Sequence, residues 1–376
     1  MKILIFYASY GGGHLNAAKS IKEYIDINYT NCKTELVDCM KYVNKPIEAI
    51  TTAAYRELAK KMPWAWGKIY DDSQSGPLAH ISSRSNQIFA IKLLTLLREK
   101  NPDLIISTHP FGSQMCGYLK RKGKISSKIA TIMTDFAPHD QWIVENESVN
   151  YFFVAHDKMK EYLVNKGIPN KKVFSTGIPI SLRFLNTYDR TKILKQLDLK
   201  DGKKNILLFG GGEFGLGRET TLEVFDNLIN NFNDIQVIAI SGKNKKMKEE
   251  FEKIVTENSK QKNVTILSFT DNIPEIMSVC DLVISKPGGL TTSESLASNL
   301  PMIIISPIPG QEEENAKFLE NNGVGIWIRK DSTSLDVLKS VINNPETLLK
   351  MKENTKKLAK KHSTENICKI LLGSNI

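Results

Sequence analysis

The sequence predicts an α/β protein made of two Rossmann-like, doubly wound domains in tandem. Short apolar runs typical of buried parallel strands alternate along the chain with segments of helical spacing. A glycine-rich turn follows the first strand of each half, at residues 11–13 and 210–212, which is a weak internal repeat. The length of 376 residues also exceeds what one hydrophobic core usually serves.

The first domain is expected over residues 1–184. A strand at Ile3–Ala8 enters the first glycine turn, and a helix over Leu15–Ile27 follows, with alanines and isoleucines along one face. Later apolar runs predict further parallel strands, at residues 35–37, 103–107, 128–133 and 151–154.

The second domain is expected over residues 185–376 and repeats this pattern. Its strands are predicted at residues 205–209, 235–240, 264–268, 282–285 and 302–306. A long amphipathic helix over residues 353–372 could pack back on the first domain. Ligands of open α/β sheets bind beyond the carboxyl ends of the strands, so two such domains facing each other would form one cleft. This architecture suits a transferase that takes one substrate from each side.

The charge distribution narrows the class of partner. The formal net charge is +10, and residues 1–184 carry 25 Lys and Arg against 16 Asp and Glu. This excess predicts an acidic partner for the first domain, either nucleic acid or an anionic membrane surface. We expect no membrane-spanning segment and no signal peptide. Five scattered cysteines without a CxxC pair indicate a reducing cytoplasm and argue against structural zinc.

The segment SKPGGLTTSE at residues 285–294 carries the strongest functional signal. It joins an apolar strand to a helix, and Gly288 and Gly289 would let backbone N–H groups approach a phosphate at the helix N-terminus. Glu294 would lie about one turn into the helix, where a carboxylate could accept two sugar hydroxyls. The pattern fits a nucleotide-sugar site. The alternative is an ordinary capped helix, with Thr291 or the next threonine as N-cap and Glu294 completing a capping box.

A second polar loop, PIPGQEEEN at residues 307–315, closes the last buried strand. Gln311 and Glu312 lie nearest the strand end and could hold sugar hydroxyls. Glu313 and Glu314 are expected to be solvated at the positive end of a helix dipole.

The first domain offers candidate acid and base groups at its own strand ends. His14 follows Gly12 and Gly13, and three glycines in this turn suggest a bound group pressed against the backbone. We expect His14 to act as a general base with a pKa near neutrality. Asp135 could be the base in place of His14, could orient His14, or could pair with His139 in acid–base chemistry. We expect no metal site here, because histidines and a carboxylate from distant loops are weak evidence for one.

A basic and aromatic segment at residues 60–70 predicts a membrane-facing surface. Trp64 and Trp66 stand among lysines, a combination that favours the bilayer interface and anionic head groups. The apolar run at residues 88–97 is either a second such patch or a core helix with a basic end.

Five motifs together resemble one family: GGGH, TDFAPHDQW, GIPI, SKPGGLTTSE and PIPGQEEEN. They are similar to those of the monogalactosyldiacylglycerol synthase and processive diacylglycerol glucosyltransferase group, within glycosyltransferase family 28. The resemblance runs over nearly the whole chain. It implies a GT-B fold, an inverting mechanism without a metal or other cofactor, and a UDP-sugar donor held by the C-terminal domain.

The resemblance also implies roles for residues that match the motifs. Glu294 would bind the ribose hydroxyls, Gln311 and Glu312 the donor sugar, and His14 would be a base or an acceptor-side residue. The remaining donor-side residues would lie against the uracil or the diphosphate; these are Gly212, Phe269, Gly288, Gly289 and Thr291.

The function expected from these observations is transfer of glucose or galactose from UDP-glucose or UDP-galactose to diacylglycerol or a glycosyl-diacylglycerol. The protein would act as a peripheral enzyme at the cytoplasmic face of the cell membrane, bound to anionic lipids. The alternatives are a UDP-sugar 2-epimerase of the same fold and a glycosyltransferase with another lipid acceptor. A nucleic-acid-binding protein is a third alternative, but no recognisable binding motif supports it, so we expect no nucleic-acid partner.

Overall fold

The structure is a computed structural model that describes residues 1–9, 12–43, 77–211, 217–260, 263–329 and 331–373, with side chains between 77 and 100 from residue 89 onwards. Trp64, Trp66 and Gly212 therefore lie outside the described residues. The chain forms two compact units. The N-terminal unit comprises Met1–Leu182, Pro309–Gln311 and Lys360–Ile376, and the C-terminal unit comprises Arg183–Ile308 and Glu312–Ala359.

The N-terminal unit contains a six-stranded parallel sheet in the order β2-β1-β3-β4-β5-β6. Its strands are β1 (Lys2–Tyr7), β2 (Lys33–Asp38), β3 (Leu104–Ser107), β4 (Lys128–Ile132), β5 (Tyr151–Val154) and β6 (Val173–Ser175). Its helices begin with α1 (Gly12–Asn28), α2 (Pro77–Lys100), α3 (Pro110–Arg121) and α4 (Asp157–Asn165). The strand order reverses between β1 and β3, which is where a doubly wound sheet binds its ligand.

The C-terminal unit contains a second six-stranded parallel sheet in the order β12-β11-β10-β7-β8-β9. Its strands are β7 (Lys204–Phe209), β8 (Ile235–Ile240), β9 (Val264–Leu267), β10 (Leu282–Ser285), β11 (Met302–Ile304) and β12 (Gly325–Trp327). Here the order reverses between β7 and β10. The predicted α/β class with two doubly wound sheets is confirmed.

In the second half, helices alternate with the strands from β7 to β12, one helix precedes β7, and three helices follow β12. These helices are α5 (Arg190–Gln196), α6 (Arg218–Asn231), α7 (Lys245–Glu257), α8 (Ile273–Ser278), α9 (Gly289–Ala297), α10 (Gln311–Asn321), α11 (Ser334–Ile342), α12 (Pro345–Leu358) and α13 (Ser363–Leu372). Phe225 of α6 and Phe251 of α7 are fully buried on the second sheet, with ring centroids 4.5 Å apart. Within the part of the chain that the structure describes, no helix could cross a membrane.

The single helix predicted over residues 353–372 is wrong, because the chain breaks between α12 and α13. Ala359, the C-cap of α12, adopts an extended conformation. At this break, two side-chain hydroxyls bond to the backbone of the segment after β6. Ser363 Oγ donates to the Ile178 carbonyl at 2.8 Å, and Thr364 Oγ1 donates to the Ile180 carbonyl at 2.6 Å. Ile367 and the following cysteine are then fully buried in the core of the N-terminal unit.

Gly177 permits this contact between the end of the chain and the segment after β6. Its φ is +91°, a left-handed conformation that favours glycine. A Cβ added at Gly177 would lie 2.5 Å from Lys360 Cβ and 3.2 Å from Ser363 Cβ. Any larger residue would therefore push the terminal helix away from this segment.

Gly177→Ala is expected to lower the free energy of unfolding by about 2–4 kcal/mol, the sum of a conformational penalty and a steric one. Gly167→Ala is the matched control, because Gly167 has the same φ of +91° but an added Cβ there would meet no atom within 4 Å. The control should lose only about 1 kcal/mol, from the conformational term. Urea unfolding of both variants measures the difference, and equal losses would contradict the steric role.

Candidate functional site

The turn between β10 and α9 presents open backbone at a helix N-terminus. Gly288 is the N-cap of α9, with no side-chain hydrogen bond, and an added Cβ there would meet no atom within 4 Å. The helix begins at Gly289, so the alternative interpretation, with an N-cap at Thr291 or the next threonine, is wrong. Since α9 starts at Gly289, Glu294 lies in the second turn and completes no capping box. The first backbone N–H groups of α9 are thus available to an anion.

Glu294 has a carboxyl group without a protein partner. It is partly buried, and among the described residues its side chain makes no hydrogen bond or ion pair. Burial raises the pKa of Glu294 to about 8, so the group is largely protonated at neutral pH in the free protein. A polar side chain held in this way is available to hydroxyl groups of a ligand.

The side chain of Glu312, near the start of α10, is fixed by a hydrogen bond from the backbone of the preceding loop. The backbone N–H of Ile308 donates to Glu312 Oε2 at 2.7 Å. Burial raises the pKa of Glu312, and the charge of Lys286 acts in the opposite direction. Gln311 is the first residue of α10. Glu314 is exposed and pairs with Lys317 at 2.6 Å, as a solvated carboxylate would.

Phe269 follows β9 at the carboxyl edge of the second sheet. Its side chain is 60% exposed, which is unusual for a phenylalanine, and Lys243 Nζ lies 5.5 Å from the ring centroid. An exposed aromatic residue at a sheet edge where ligands bind is consistent with a binding surface.

In the N-terminal unit, His14 is fixed by two neighbouring loops. His14 Nδ1 lies 2.6 Å from the carbonyl oxygen of Thr108, after β3, and 3.0 Å from Thr134 Oγ1, after β4. A carbonyl oxygen can only accept, so Nδ1 carries the proton and Nε2 has the lone pair. Nε2 has no hydrogen-bond partner among the described residues. The imidazole is therefore oriented with its basic nitrogen available.

The near-neutral pKa expected for His14 is wrong for the free protein. Burial lowers the pKa of His14 to about 4, although the bond to the Thr108 carbonyl acts in the opposite direction. The His109 ring lies edge-on at 4.6 Å, and the Trp142 ring lies at 6.5 Å. With its pKa lowered in this way, His14 is neutral at physiological pH.

Asp135 and His139 lie in the loop after β4, in the same unit as His14. Asp135 is buried, and the adjacent Thr134 contacts His14 through Oγ1. The role of Asp135 stays a prediction. His139 is the N-cap of a short 3-10 helix, Asp140–Ile143, and its Nδ1 accepts from the backbone N–H of Gln141 at 3.1 Å. Burial lowers the pKa of His139 to about 4. His139 Nδ1 therefore caps the N-terminus of this short helix.

The glycine turn before His14 is only partly described. Gly12 and Gly13 are the first two residues of α1, and Gly12 is exposed. An added Cβ at Gly12 would lie 3.9 Å from the nearest side-chain atom, so the space beside it is open. Among the residues that the structure describes, no group of three or more His, Cys, Asp or Glu side chains could hold a metal ion.

Each half of the chain matches the model of one protein family. The model of monogalactosyldiacylglycerol (MGDG) synthase matches residues 14–180, and the model of the glycosyltransferase family 28 C-terminal domain matches residues 205–369. The chain is 29% identical over 380 residues to a processive diacylglycerol beta-glucosyltransferase of Bacillus cytotoxicus, which covers 100% of this chain and 94% of that protein. The enzyme of the same name from Bacillus subtilis is 29% identical over 377 residues, covering 99% and 94%.

Solved structures share the architecture. MurG of Acinetobacter baumannii aligns with a TM-score of 0.64 at 15% identity, covering 99% of both chains. A UDP-GlcNAc 2-epimerase from Neisseria meningitidis, bound to UDP-GlcNAc, aligns with a TM-score of 0.64 at 16% identity over 100% of both. The glycosyltransferase WaaG aligns with a TM-score of 0.53 at 12% identity. These likenesses confirm the predicted GT-B fold and concern the fold alone.

Glu294→Gln is expected to stabilise the ligand-free protein more at pH 8 than at pH 5. The unfolded chain ionises this carboxyl near its ordinary pKa of 4.5, whereas the folded protein holds the proton to about pH 8. Ionisation therefore favours the unfolded state increasingly as pH rises through this window. Glutamine removes that effect, worth about 1–3 kcal/mol for a partly exposed group.

Chemical denaturation of both proteins at the two pH values measures this difference. Glu249→Gln is the control, because it makes the same change at an exposed position on α7. A stability change for Glu294→Gln that was the same at pH 5 and pH 8 would contradict a buried, protonated carboxyl.

Proposed function

The chain belongs to the glycosyltransferase family whose two domain models it matches, and we propose that it transfers a hexose from a UDP-sugar to diacylglycerol or a glycosyl-diacylglycerol. The observation that carries this proposal is the unpartnered carboxyl of Glu294 beside the open turn at Gly288. The names of the Bacillus relatives support diacylglycerol as the acceptor and glucose as one candidate sugar.

The C-terminal unit would bind the donor. Glu294 would accept hydrogen bonds from the ribose hydroxyls, and the N-terminus of α9 at Gly288, Gly289 and Thr291 would lie against the diphosphate. Phe269 would contribute its backbone at the uracil. Glu312 would hold hydroxyls of the sugar, and the bond from the Ile308 N–H fixes its side chain in advance. The role of Gln311 at the donor sugar stays a prediction, since Gln311 belongs to the N-terminal unit.

The N-terminal unit would supply the base. The oxygen of the acceptor hydroxyl attacks the anomeric carbon, the bond from that carbon to the phosphate oxygen breaks, and its electron pair leaves with UDP. His14 Nε2 takes the proton of the acceptor. A pKa of about 4 keeps His14 in its base form at neutral pH, and proton transfer becomes favourable once bond formation has made the acceptor oxygen acidic.

The basic N-terminal half of the chain would bind the membrane surface. Residues 1–184 carry 25 basic against 16 acidic side chains, which would attract anionic lipids at the cytoplasmic face. The segment containing Trp64 and Trp66 is our candidate for interfacial anchoring. Peripheral binding of this kind gives the enzyme access to a lipid acceptor.

A UDP-sugar 2-epimerase is the second candidate, because the Neisseria epimerase matches the fold with the same TM-score as MurG. The match of residues 14–180 to the MGDG synthase model favours the lipid transferase. The two activities differ in their products, since an epimerase returns a nucleotide sugar and needs no lipid.

The product assay uses labelled UDP-glucose and UDP-galactose in turn, with vesicles containing diacylglycerol. We expect a glycolipid on thin-layer chromatography, a rate that increases with the anionic lipid content, and full activity in EDTA. Epimerised nucleotide sugar without a lipid product would contradict the proposed transfer. Loss of activity in EDTA that Mg²⁺ or Mn²⁺ restored would contradict the metal-free part of the proposal.

His14→Ala is expected to lower the rate of glycolipid formation by roughly 10²–10⁴-fold, the usual contribution of a positioned base. Its affinity for UDP, measured by calorimetry, should stay within about twofold of the parent, because the donor would be bound by the other unit. His362→Ala is the control, since His362 is an exposed histidine that pairs with Glu365. A rate within threefold of the parent would exclude His14 as the base.

A further inference from the structure

The His14 ring is held by oxygen atoms that come from the ends of two neighbouring strands. Thr108 directly follows β3, and Thr134 lies two residues after the end of β4. His14 Nδ1 is 2.6 Å from the Thr108 carbonyl oxygen and 3.0 Å from Thr134 Oγ1. Because β1, β3 and β4 pair in parallel, the sheet itself fixes where these two oxygens lie relative to the start of α1.

Thr108 holds His14 at two points. Its carbonyl oxygen accepts from Nδ1 of the ring, and its Oγ1 donates to the main-chain carbonyl of His14 at 2.9 Å. Thr108 is fully buried. One residue therefore fixes both the backbone at the start of α1 and the ring at the end of the side chain, which leaves the bonds between them little freedom to turn.

The loop that carries Thr108 is itself closely held. The N–H of Thr108 donates to the Phe6 carbonyl at 2.9 Å and so continues the pairing of β1 with β3. Ser107 Oγ donates to the His109 carbonyl at 2.7 Å. A Cβ added at Gly112 of α3 would lie 2.5 Å from Ser107 Oγ and 3.0 Å from Phe6 Cβ, so only glycine lets α3 pack this closely on the strand end.

The two oxygens that contact Nδ1 have different effects on the ring. The Thr108 carbonyl can only accept, so it requires the proton on Nδ1 and selects the tautomer of His14. Thr134 Oγ1 can accept or donate, so it does not distinguish the two tautomers. A half-turn of the ring about χ2 would place a carbon atom at both oxygens and break both hydrogen bonds. Thr134 therefore adds to the preference for one orientation of the ring.

We propose that Thr108 and Thr134 are positioning residues for His14, and that together they direct its Nε2 at the acceptor hydroxyl. The proposal rests on the proposed function, in which Nε2 takes the acceptor proton. Both threonines act through His14 and not on the substrate. Once Nε2 has taken the proton, the ring is a cation, and its bond from Nδ1–H to the Thr108 carbonyl becomes charge-assisted and stronger. The same contacts therefore stabilise the protonated base.

Thr134→Val tests the orientation of the ring, because valine has nearly the shape of threonine and lacks Oγ1. We expect kcat for glycolipid formation to decrease roughly three- to tenfold, the range for one neutral hydrogen bond, with the KM for diacylglycerol and the affinity for UDP within about twofold of the parent. Thr134→Ser restores the hydroxyl and should recover most of the rate. Thr265→Val is the control, since it removes a hydroxyl that donates to the Leu197 carbonyl in the C-terminal unit, and kcat should be unchanged.

The tautomer of His14 is measured by ¹⁵N NMR of the imidazole rings, which needs no activity. The chain has six histidines, and the His14 signals are those that disappear in His14→Ala. At neutral pH we expect a protonated Nδ1 and an unprotonated Nε2, both in the parent and in Thr134→Val, because the Thr108 carbonyl is present in both proteins.

Three results would overturn the positioning role. They are a proton on Nε2 in the parent, a kcat of Thr134→Val within threefold of the parent, and a loss of UDP affinity as large as the loss of kcat, which would indicate a general distortion. In each case the parent still forms glycolipid, so the proposed transfer would stand. A parent that formed no glycolipid from either UDP-sugar would instead contradict the proposed function, and this role with it.

Discussion

Parallel pairing of neighbouring strands is the constraint on which both candidate sites depend. In a parallel sheet all carboxyl ends lie at one edge, so loops distant in sequence meet there. Ile284 pairs with Leu208 on one side and Ile303 on the other, and this register places the carboxyl ends of β7, β10 and β11 side by side. In the first sheet, the pairing of Phe6 with Ser107 brings the start of α1 to the loop after β3, where His14 meets Thr108.

The two units share a second property, since each has a titratable group in its neutral form at the carboxyl edge of its sheet. His14 is a neutral base and Glu294 is a protonated acid. In both cases burial disfavours the charged form of the group. A ligand that hydrogen-bonds to His14 Nε2 or to the Glu294 carboxyl would recover part of the solvation that burial removes.

Local sequence signals predicted the sheets and the glycine turns, because strand and turn preferences act within a few residues. They did not predict the short edge strands β6 and β12, which have three residues each and little apolar pattern. The pKa of His14 depends on burial by loops more than ninety residues away, which no local pattern encodes. Roles at Trp64, Trp66 and Gly212 stay predictions.

The packing of α13 in the core of the N-terminal unit affects the order in which the two units can fold during synthesis. Ile367 and Cys368 fill part of a core whose other buried members come from the first 182 residues, yet they are made only after the whole C-terminal unit. We therefore expect the N-terminal unit to leave the ribosome with an unfilled apolar surface and to complete its folding after the C-terminal unit. The C-terminal unit, nearly continuous from Arg183 to Ala359, can close first. Until α13 arrives, the half of the chain that carries the basic charge would be the one exposed to chaperones.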